Sequence, residues 1–471
     1  MVLKYLVLSD LHLGEEDSLL TNLKPGLWEQ DPLKASPVLT SFTLCLEELL
    51  KGQENRPWLV ILGDGLELAL ARFNQAAMVF ERLVEEWLVK RALFSGLIYI
   101  PGNHDHHLWE TSREIQYANY VARRKPPGSF LPPPWHISEV FPQKSHHFVP
   151  SPFIGRFLKR FPQLEDFPVG VTYPVLGLIN EEKKRIVCLH HGHLLEGIYR
   201  LMSKLRVTLF PGEQEPQTLN EIEEENFAWI DFFWSTMGRS GKVGERIETI
   251  YESLLVPETF KDLLANLAKA LAQKFDIPLV PERWEDDLIQ KVLEKTFRKA
   301  LYPERKKEAT ALSEEVEREL NWFVEGPLLK EIEKVNPEGN LSDYAFDFIF
   351  GHTHKPFARL DRFAPFSPWA RVFNTGGWVI DRLELFPVYG ANLVLITDEL
   401  EVLCLELFRL GETAFPRPAL VKGTGEDLLK FIKPILEKPV WERFATEVQI
   451  AAQIRASHLR KRVLERAGFR H

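Results

Sequence analysis

Asp10-Leu11-His12, Gly63-Asp64, Gly102-Asn103-His104-Asp105, His190-His191-Gly192 and Gly351-His352-Thr353-His354 punctuate a chain of 471 residues. They offer carboxylate, amide oxygen and imidazole, a ligand mixture that suits Mn, Fe, Zn or Mg. Two such ions a few Å apart can clamp a phosphate through an in-line displacement. A lone Gly-Asp or His-Gly is ordinarily a turn. Five such motifs in order, each closing an apolar run, point to one metal-dependent phosphoester chemistry.

The elements that must hold them are short strands. Lys4–Ser9, Pro57–Gly63, Leu97–Pro101, Arg185–Leu189, Phe346–Phe350 and Arg371–Phe373 are apolar and rich in β-branched or aromatic residues. A polar motif follows each, the last by Asn374-Thr375-Gly376-Gly377. Chemistry on loops at strand carboxyl ends is the α/β pattern. Val79, Leu83, Trp87 and Leu88 predict a helix within Ala77–Phe94. Asn392–Ile396 and Val402–Phe408 flank Thr397-Asp398-Glu399 and predict a hairpin.

Two stretches break this rhythm. Lys125–Pro174, rich in Pro, Phe and Gly, reads as a loop excursion, and its His146 and His147 read as non-ligands. Leu194–Asp343 reads as a mainly helical interruption, with Leu288, Val292, Phe297 and Leu301 on one stripe and an aromatic-rich turn at Phe227–Trp234. The expected division is a first core segment at 1–193, a helical cap at 194–345, a second core segment at 346–415 and a helical tail at 416–471. Trp441–His471 reads as an amphipathic helix with a basic end at Arg460, Lys461, Arg462, Arg466 and Arg470. It either packs on the core or meets an anionic membrane or partner.

Bulk composition bounds the rest. The net charge of −9 argues against a dedicated nucleic-acid binder, although a local basic patch stays compatible with it. Cys45, Cys188 and Cys404 are far apart and form no CxxC pair, so they read as core residues rather than a disulfide framework or zinc ribbon. Met1–Ser9 is one strand long and ends in Asp10, which excludes a signal peptide on this reading. No apolar run approaches the ~18–20 residues of a spanning helix. The expected compartment is the cytoplasm.

The ordered set Asp-x-His, Gly-Asp, Gly-Asn-His-Asp, His-Gly and Gly-His-Thr-His resembles the calcineurin-like metallophosphoesterase superfamily. The resemblance covers roughly residues 1–193 and 346–410. It implies a four-layer α/β sandwich, two mixed sheets flanked by helices, here carrying the large insertion. It also implies two divalent metal ions, Mn first, with Fe, Zn or Mg as alternatives. One ion would be held by Asp10, His12, Asp64 and His354, the other by Asp64, Asn103, His191 and His352, with Asp64 bridging. A metal-bound hydroxide would be the nucleophile. His104 would stabilise the transition state or protonate the leaving oxygen, oriented by Asp105 through its other ring nitrogen. Glu67, where the family often has Asp, reads as a structural acceptor. His106, His107, His190 and His193 are weaker candidates for direct function.

Asn374-Thr375-Gly376-Gly377-Trp378-Val379 resembles the Asn-x-Gly-Asp-Trp-Val signature of UDP-2,3-diacylglucosamine pyrophosphatases, which act on a lipid-linked nucleotide diphosphate at a membrane surface. Pro152–Pro162 and Ile198–Phe210 interleave apolar residues with cations and would suit peripheral membrane contact; the alternative is ordinary core. Gly377, His104 and the long insertion depart from that family. The other expectations are a nucleotide or nucleic-acid phosphodiesterase, and a metal-binding scaffold without catalysis.

Overall fold

Apolar residues fill both faces of the central strands, so each sheet needs cover on two sides. The computed structural model describes residues 2–123, 136–142, 148–210, 212–236, 310–336, 339–366, 369–412 and 416–466. The stripe Leu288, Val292, Phe297 and Leu301, the pair His146 and His147, and Arg470 lie outside the described residues.

In chain order the strands are β1 (Leu3–Leu8), β2 (Trp58–Leu62), β3 (Gly96–Ile100), β4 (Val169–Val171), β5 (Val175–Asn180), β6 (Arg185–His190), β7 (Ala345–Phe350), β8 (Phe357–Asp361), β9 (Ala370–Asn374), β10 (Gly390–Thr397), β11 (Val402–Arg409) and β12 (Arg417–Ala419). They form a seven-stranded sheet in the order β12-β11-β10-β1-β2-β3-β4 and a five-stranded sheet in the order β5-β6-β7-β9-β8. Both are mixed. β1 to β4 run parallel and β10 to β12 antiparallel in the first. β6, β7 and β9 run parallel in the second, with β5 and β8 antiparallel at its edges.

The helices are α1 (Pro37–Leu50), α2 (Phe73–Val84), α3 (His107–Ala122), α4 (Pro152–Leu158), α5 (Leu201–Leu209), α6 (Leu219–Trp229), α7 (Glu314–Phe323), α8 (Leu329–Val335), α9 (Glu426–Leu436) and α10 (Pro439–Arg466). Strand alternation sends side chains to different layers. Leu6, Leu8, Leu59 and Ile61 join a core with Phe42 of α1, Phe80 of α2 and Phe444 of α10. Their neighbours Val7, Val60 and Leu62 meet Leu176, Val187, Ile349 and Phe373 between the sheets. Phe346, Phe348 and Phe350 of β7 turn outward to Leu219, Leu320 and Phe323 of the insertion helices. Helix, sheet, sheet and helix are the four layers expected.

Three local expectations change. The helix predicted within Ala77–Phe94 starts earlier, at Phe73, and passes at Glu85 into a π-turn that ends at Val89. The chain then turns away at Ala92, which is left-handed at φ 44°. The excursion at 125–174 is not wholly loop. Ser151 caps α4 by accepting from Ile154 N, and Pro152 at the first turn is pre-set for a helix. Val169–Val171 then extends the first sheet beside β3. β5 is a further strand with no prediction behind it.

Pro152–Pro162 and Ile198–Phe210 each bury part of their apolar side chains, Ile154, Phe157 and Leu158 in the first and Ile198, Leu201 and Leu205 in the second, while Phe210 stays 45% exposed. Phe157 packs on Phe80 with ring centroids 5.3 Å apart, and Arg160 pairs with Glu81 at 3.0 Å. Ile198, Leu201 and Leu205 are buried in the second core, while Arg206 pairs with Glu225 at 2.8 Å. The tail helix α10 buries Trp441, Phe444, Val448 and Ala452 against the first core. Arg455 donates to the carbonyls of Glu16 (3.1 Å), Ser18 (2.6 Å) and Thr21 (2.7 Å), clamping the loop that follows β1. Among the described residues no helix is long and apolar enough to cross a membrane.

Candidate metal centre

Each polar motif sits at the carboxyl end of a parallel strand, and the two sheets bring those ends face to face. Asp10 and His12 follow β1, Asp64 follows β2, and Asn103 to Asp105 follow β3. His191 follows β6, and His352 and His354 follow β7. The loops are stitched by backbone hydrogen bonds: Asp10 N to Gly63 O (3.0 Å), His12 N to Asp64 O (2.8 Å), Gly351 N to His191 O (2.8 Å) and Trp378 N to Asp10 O (3.0 Å).

The approach is close enough to require glycine, as at Gly102 and Gly351. A Cβ on Gly102 would run into the Asp64 carboxylate, and one on Gly351 into Ser9 and the Asp10 carboxylate. Five proposed ligands are left-handed: Asp10 (φ 52°), His12 (44°), Asp64 (49°), His352 (68°) and His354 (57°). Such conformations cost about 1–3 kcal/mol each and cluster where function demands them.

The seven residues expected as ligands come together in two buried groups. Asp10, His12 and His354 place their ligand atoms within 4.8 Å of one another, and so do Asp64, His191 and His352. Each group draws on both sheets. His354 Nε2 is 3.4 Å from Asp10 Oδ1 and 3.3 Å from His12 Nε2. His191 Nε2 is 3.2 Å from Asp64 Oδ2 and 3.2 Å from Asn103 Oδ1. Asp64 Oδ2 also lies 3.8 Å from His12 Nε2, so this carboxylate faces both groups. Donors sharing one ion at bond lengths of about 2.0–2.2 Å stand roughly 2.8–3.6 Å apart. The residues present therefore fit divalent ions.

Electrostatics keep the two buried carboxylates charged. Burial works to raise the Asp10 carboxyl, but His191 and His354 outweigh it and hold it below the usual range. Burial likewise opposes ionisation of Asp64, yet His191, His104 and His12 hold it well below. Burial would lower His191, but Asp64 and Asp10 push it up to about 10.

The support around His104 differs from expectation. Its Nδ1 lies 2.8 Å from Glu67 Oε2 and 3.0 Å from Oε1. The same carboxylate accepts from His12 Nδ1 at 2.8 Å. Glu67, not Asp105, orients the ring. Asp105 is committed elsewhere: it accepts from the backbone of Gly102 (2.7 Å), Asp64 (3.3 Å), Gly65 (2.8 Å) and Leu66 (3.2 Å), and from Tyr99 Oη. It is the knot that ties the second and third motifs. Burial and the neighbouring Asp64 push it up to about 6.

The remaining histidines face the insertion. His106 lies between Glu223 (3.8 Å) and Asp231 (3.7 Å), and His107 Nδ1 lies 3.1 Å from Asp231. Burial opposes its charge, but Asp231 and Glu223 push His106 up to about 10. Tyr173 Oη donates to Glu223 at 3.0 Å and sits 3.1 Å from His193 Nε2. Burial holds His190 and His193 well below the usual histidine range, so both are neutral. Sequence reasoning missed Glu196, 3.0 Å from His352 Nε2, and Thr375, whose hydroxyl lies 2.5 Å from that of Ser9.

Residues 3–234 match the family described as calcineurin-like phosphoesterase. Those residues belong to that family. This calcineurin-like phosphoesterase is a metal-dependent phosphoester hydrolase, and its buried Asp and His groups fit the family's use of divalent metals. The match ends before the fifth motif, which the fold nevertheless returns to the same site. No curated protein matches the chain. Among solved structures, the phosphopantetheinyl hydrolase of Mycobacterium tuberculosis is similar at 14% identity, covering 79% of this chain and 89% of its own, with a TM-score of 0.23.

Proposed function

We propose that the enzyme hydrolyses its phosphoester at a dinuclear centre, with Asp10, His12, Asp64 and His354 holding one ion and Asp64, Asn103, His191 and His352 the other. The observation that carries this reading is the position of Asp64 Oδ2, 3.2 Å from His191 Nε2 and 3.8 Å from His12 Nε2. When bound, two divalent ions supply charge to the phosphate and lower the pKa of water to roughly 7. The chain's own part is positioning and proton handling. Asp64 neutralises charge between the two groups. Glu67 accepts from Nδ1 of His104, which leaves Nε2 as the nitrogen directed to a leaving oxygen. Proton donation there contributes typically ~10²–10⁴-fold.

For the substrate, the burial of Ile154, Phe157, Leu158, Ile198, Leu201 and Leu205 favours a water-soluble phosphodiester of the nucleotide class over a lipid-linked nucleotide diphosphate. Gly377 weighs the same way: a Cβ there would press on the His354 ring, so the aspartate of the pyrophosphatase signature does not fit this backbone. The net charge of −9 disfavours long nucleic acid. The test is a side-by-side rate in Mn²⁺ on a soluble phosphodiester and on a lipid-linked nucleotide diphosphate in micelles. Faster turnover of the soluble diester is expected. A large preference for the micellar substrate would overturn the substrate reading and revive peripheral membrane contact.

A further inference from the structure

The insertion begins with two short 3₁₀ turns, His193–Leu195 and Gly197–Arg200, separated by Glu196 in an extended conformation (φ −102°, ψ 132°). Glu196 Oε1 lies 3.0 Å from His352 Nε2, with the two side chains 7% and 8% exposed. Tyr199, one turn on, sets its ring edge-on to the same imidazole, centroids 5.2 Å apart at 79°. Trp229 of α6 pins this segment by donating to Ile198 O at 2.8 Å. Glu196 stays outside the group formed by Asp64, His191 and His352.

A ligand imidazole with one nitrogen committed to a carboxylate or carbonyl offers the other to a metal, in a fixed tautomer and orientation. His12 Nδ1 is committed to Glu67 at 2.8 Å, and His191 Nδ1 to the Leu62 carbonyl at 3.0 Å. Both aim Nε2 at the centre. His352 is the reverse case: Nε2 is the nitrogen committed to Glu196, which leaves Nδ1 as the one to offer.

We propose that Glu196 is a positioning residue for the second ion. Its carboxylate accepts from Nε2–H of His352, leaves Nδ1 unprotonated, and makes the start of the insertion a structural part of the metal centre. This rests on the two-ion reading above. A carboxylate does more here than a neutral acceptor, because its negative charge on the distal N–H makes His352 the more basic ligand.

The test uses the full chain, equilibrium dialysis against Mn²⁺ with metal analysis, and the variants Glu196→Gln, Glu196→Asp and His352→Ala. Glu196→Gln is expected to bind the first ion as the wild type does and the second 10–100-fold more weakly. Excess Mn²⁺ should restore its turnover. His352→Ala should lose the second ion altogether. If Glu196→Gln keeps both ions at wild-type affinity while His352→Ala loses one, the role given to Glu196 is wrong. If His352→Ala also keeps both, the ligand assignment fails and this inference with it. Should Glu196→Gln not fold, Glu196→Asp decides: an intermediate second-ion affinity supports the proposal, and wild-type affinity overturns it.

Discussion

His104 Nδ1 lies 2.8 Å from Glu67 Oε2. The carboxylate that sets the candidate general acid therefore also holds His12, a proposed ligand of the first ion, at 2.8 Å. Metal loading and proton donation share one support. Burial opposes its ionisation, but His104 and His12 keep Glu67 charged far below the usual carboxylate range.

Glu67→Gln, assayed at saturating Mn²⁺, should lower kcat by about the ~10²–10⁴-fold expected of His104→Ala. The double variant should be little worse than either single one, because the two residues act as a unit. Additive losses in kcat would separate Glu67 from the acid step. Asp105→Asn should instead cost stability, on the order of 3 kcal/mol, by leaving buried N–H groups of the second and third motifs poorly paired. Chemical denaturation measures it.

Asp64→Ala should abolish activity and weaken both ions together. Metal analysis after dialysis checks this. Retention of one tightly bound ion would show that Asp64 serves a single site.

A pH effect on stability should arise away from the metals. Burial, reinforced by Asp381, pushes Asp17 up to about 8, against the opposing Arg462 and Arg455. A carboxyl whose folded pKa is raised binds its proton more tightly in the native state. Its contribution to stability is full below the unfolded value of ~3.9 and is lost as pH rises through about 8. Asp17→Asn should match the wild type near pH 4 and exceed it increasingly up to pH 8, levelling off above. Thermal midpoints across that range give the comparison; a constant offset would mean Asp17 does not titrate in the window.

Arg455→Met should lower stability by about 3 kcal/mol, since three loop carbonyls lose a buried charged donor. Neutralising Arg460 and Lys461 at the exposed end of the same helix should change stability by no more than about 0.5 kcal/mol. Equal losses from both changes would show that the helix is held by its surface charge rather than by the clamp.

The metal groups were legible because each ligand sits beside a glycine or at an abrupt polar break after a strand. Those breaks record backbone demands: close approach at Gly102 and Gly351, and left-handed turns at Asp10, His12, Asp64, His352 and His354. The pairing of His104 with Asp105 was misread because adjacency in sequence is not adjacency of side chains in a turn. Glu67 is 37 residues from His104, and no local pattern announces the contact. Glu196 was hidden for the same reason: it follows His190-His191-Gly192 by four residues, but its partner His352 lies far along the chain, after β7. Among strands, β5 was hidden by its place directly after the Pro-rich excursion. β4 and β12 are three residues each, too short to show alternation.

Asp10 accepts from the backbone of His352, 342 residues later. At a synthesis rate of about 5–20 residues per second, roughly 20–70 s pass between the two leaving the ribosome's active site. Throughout that interval the nascent chain carries Asp10, His12 and Asp64 without their imidazole counterparts from β7. The candidate centre thus stays incomplete until Gly351–His354 arrive, and its support from Trp378 and Arg455 comes later still. A product truncated before Gly351 would also lack β10, β11 and β12 of the first sheet, leaving β1 at its edge.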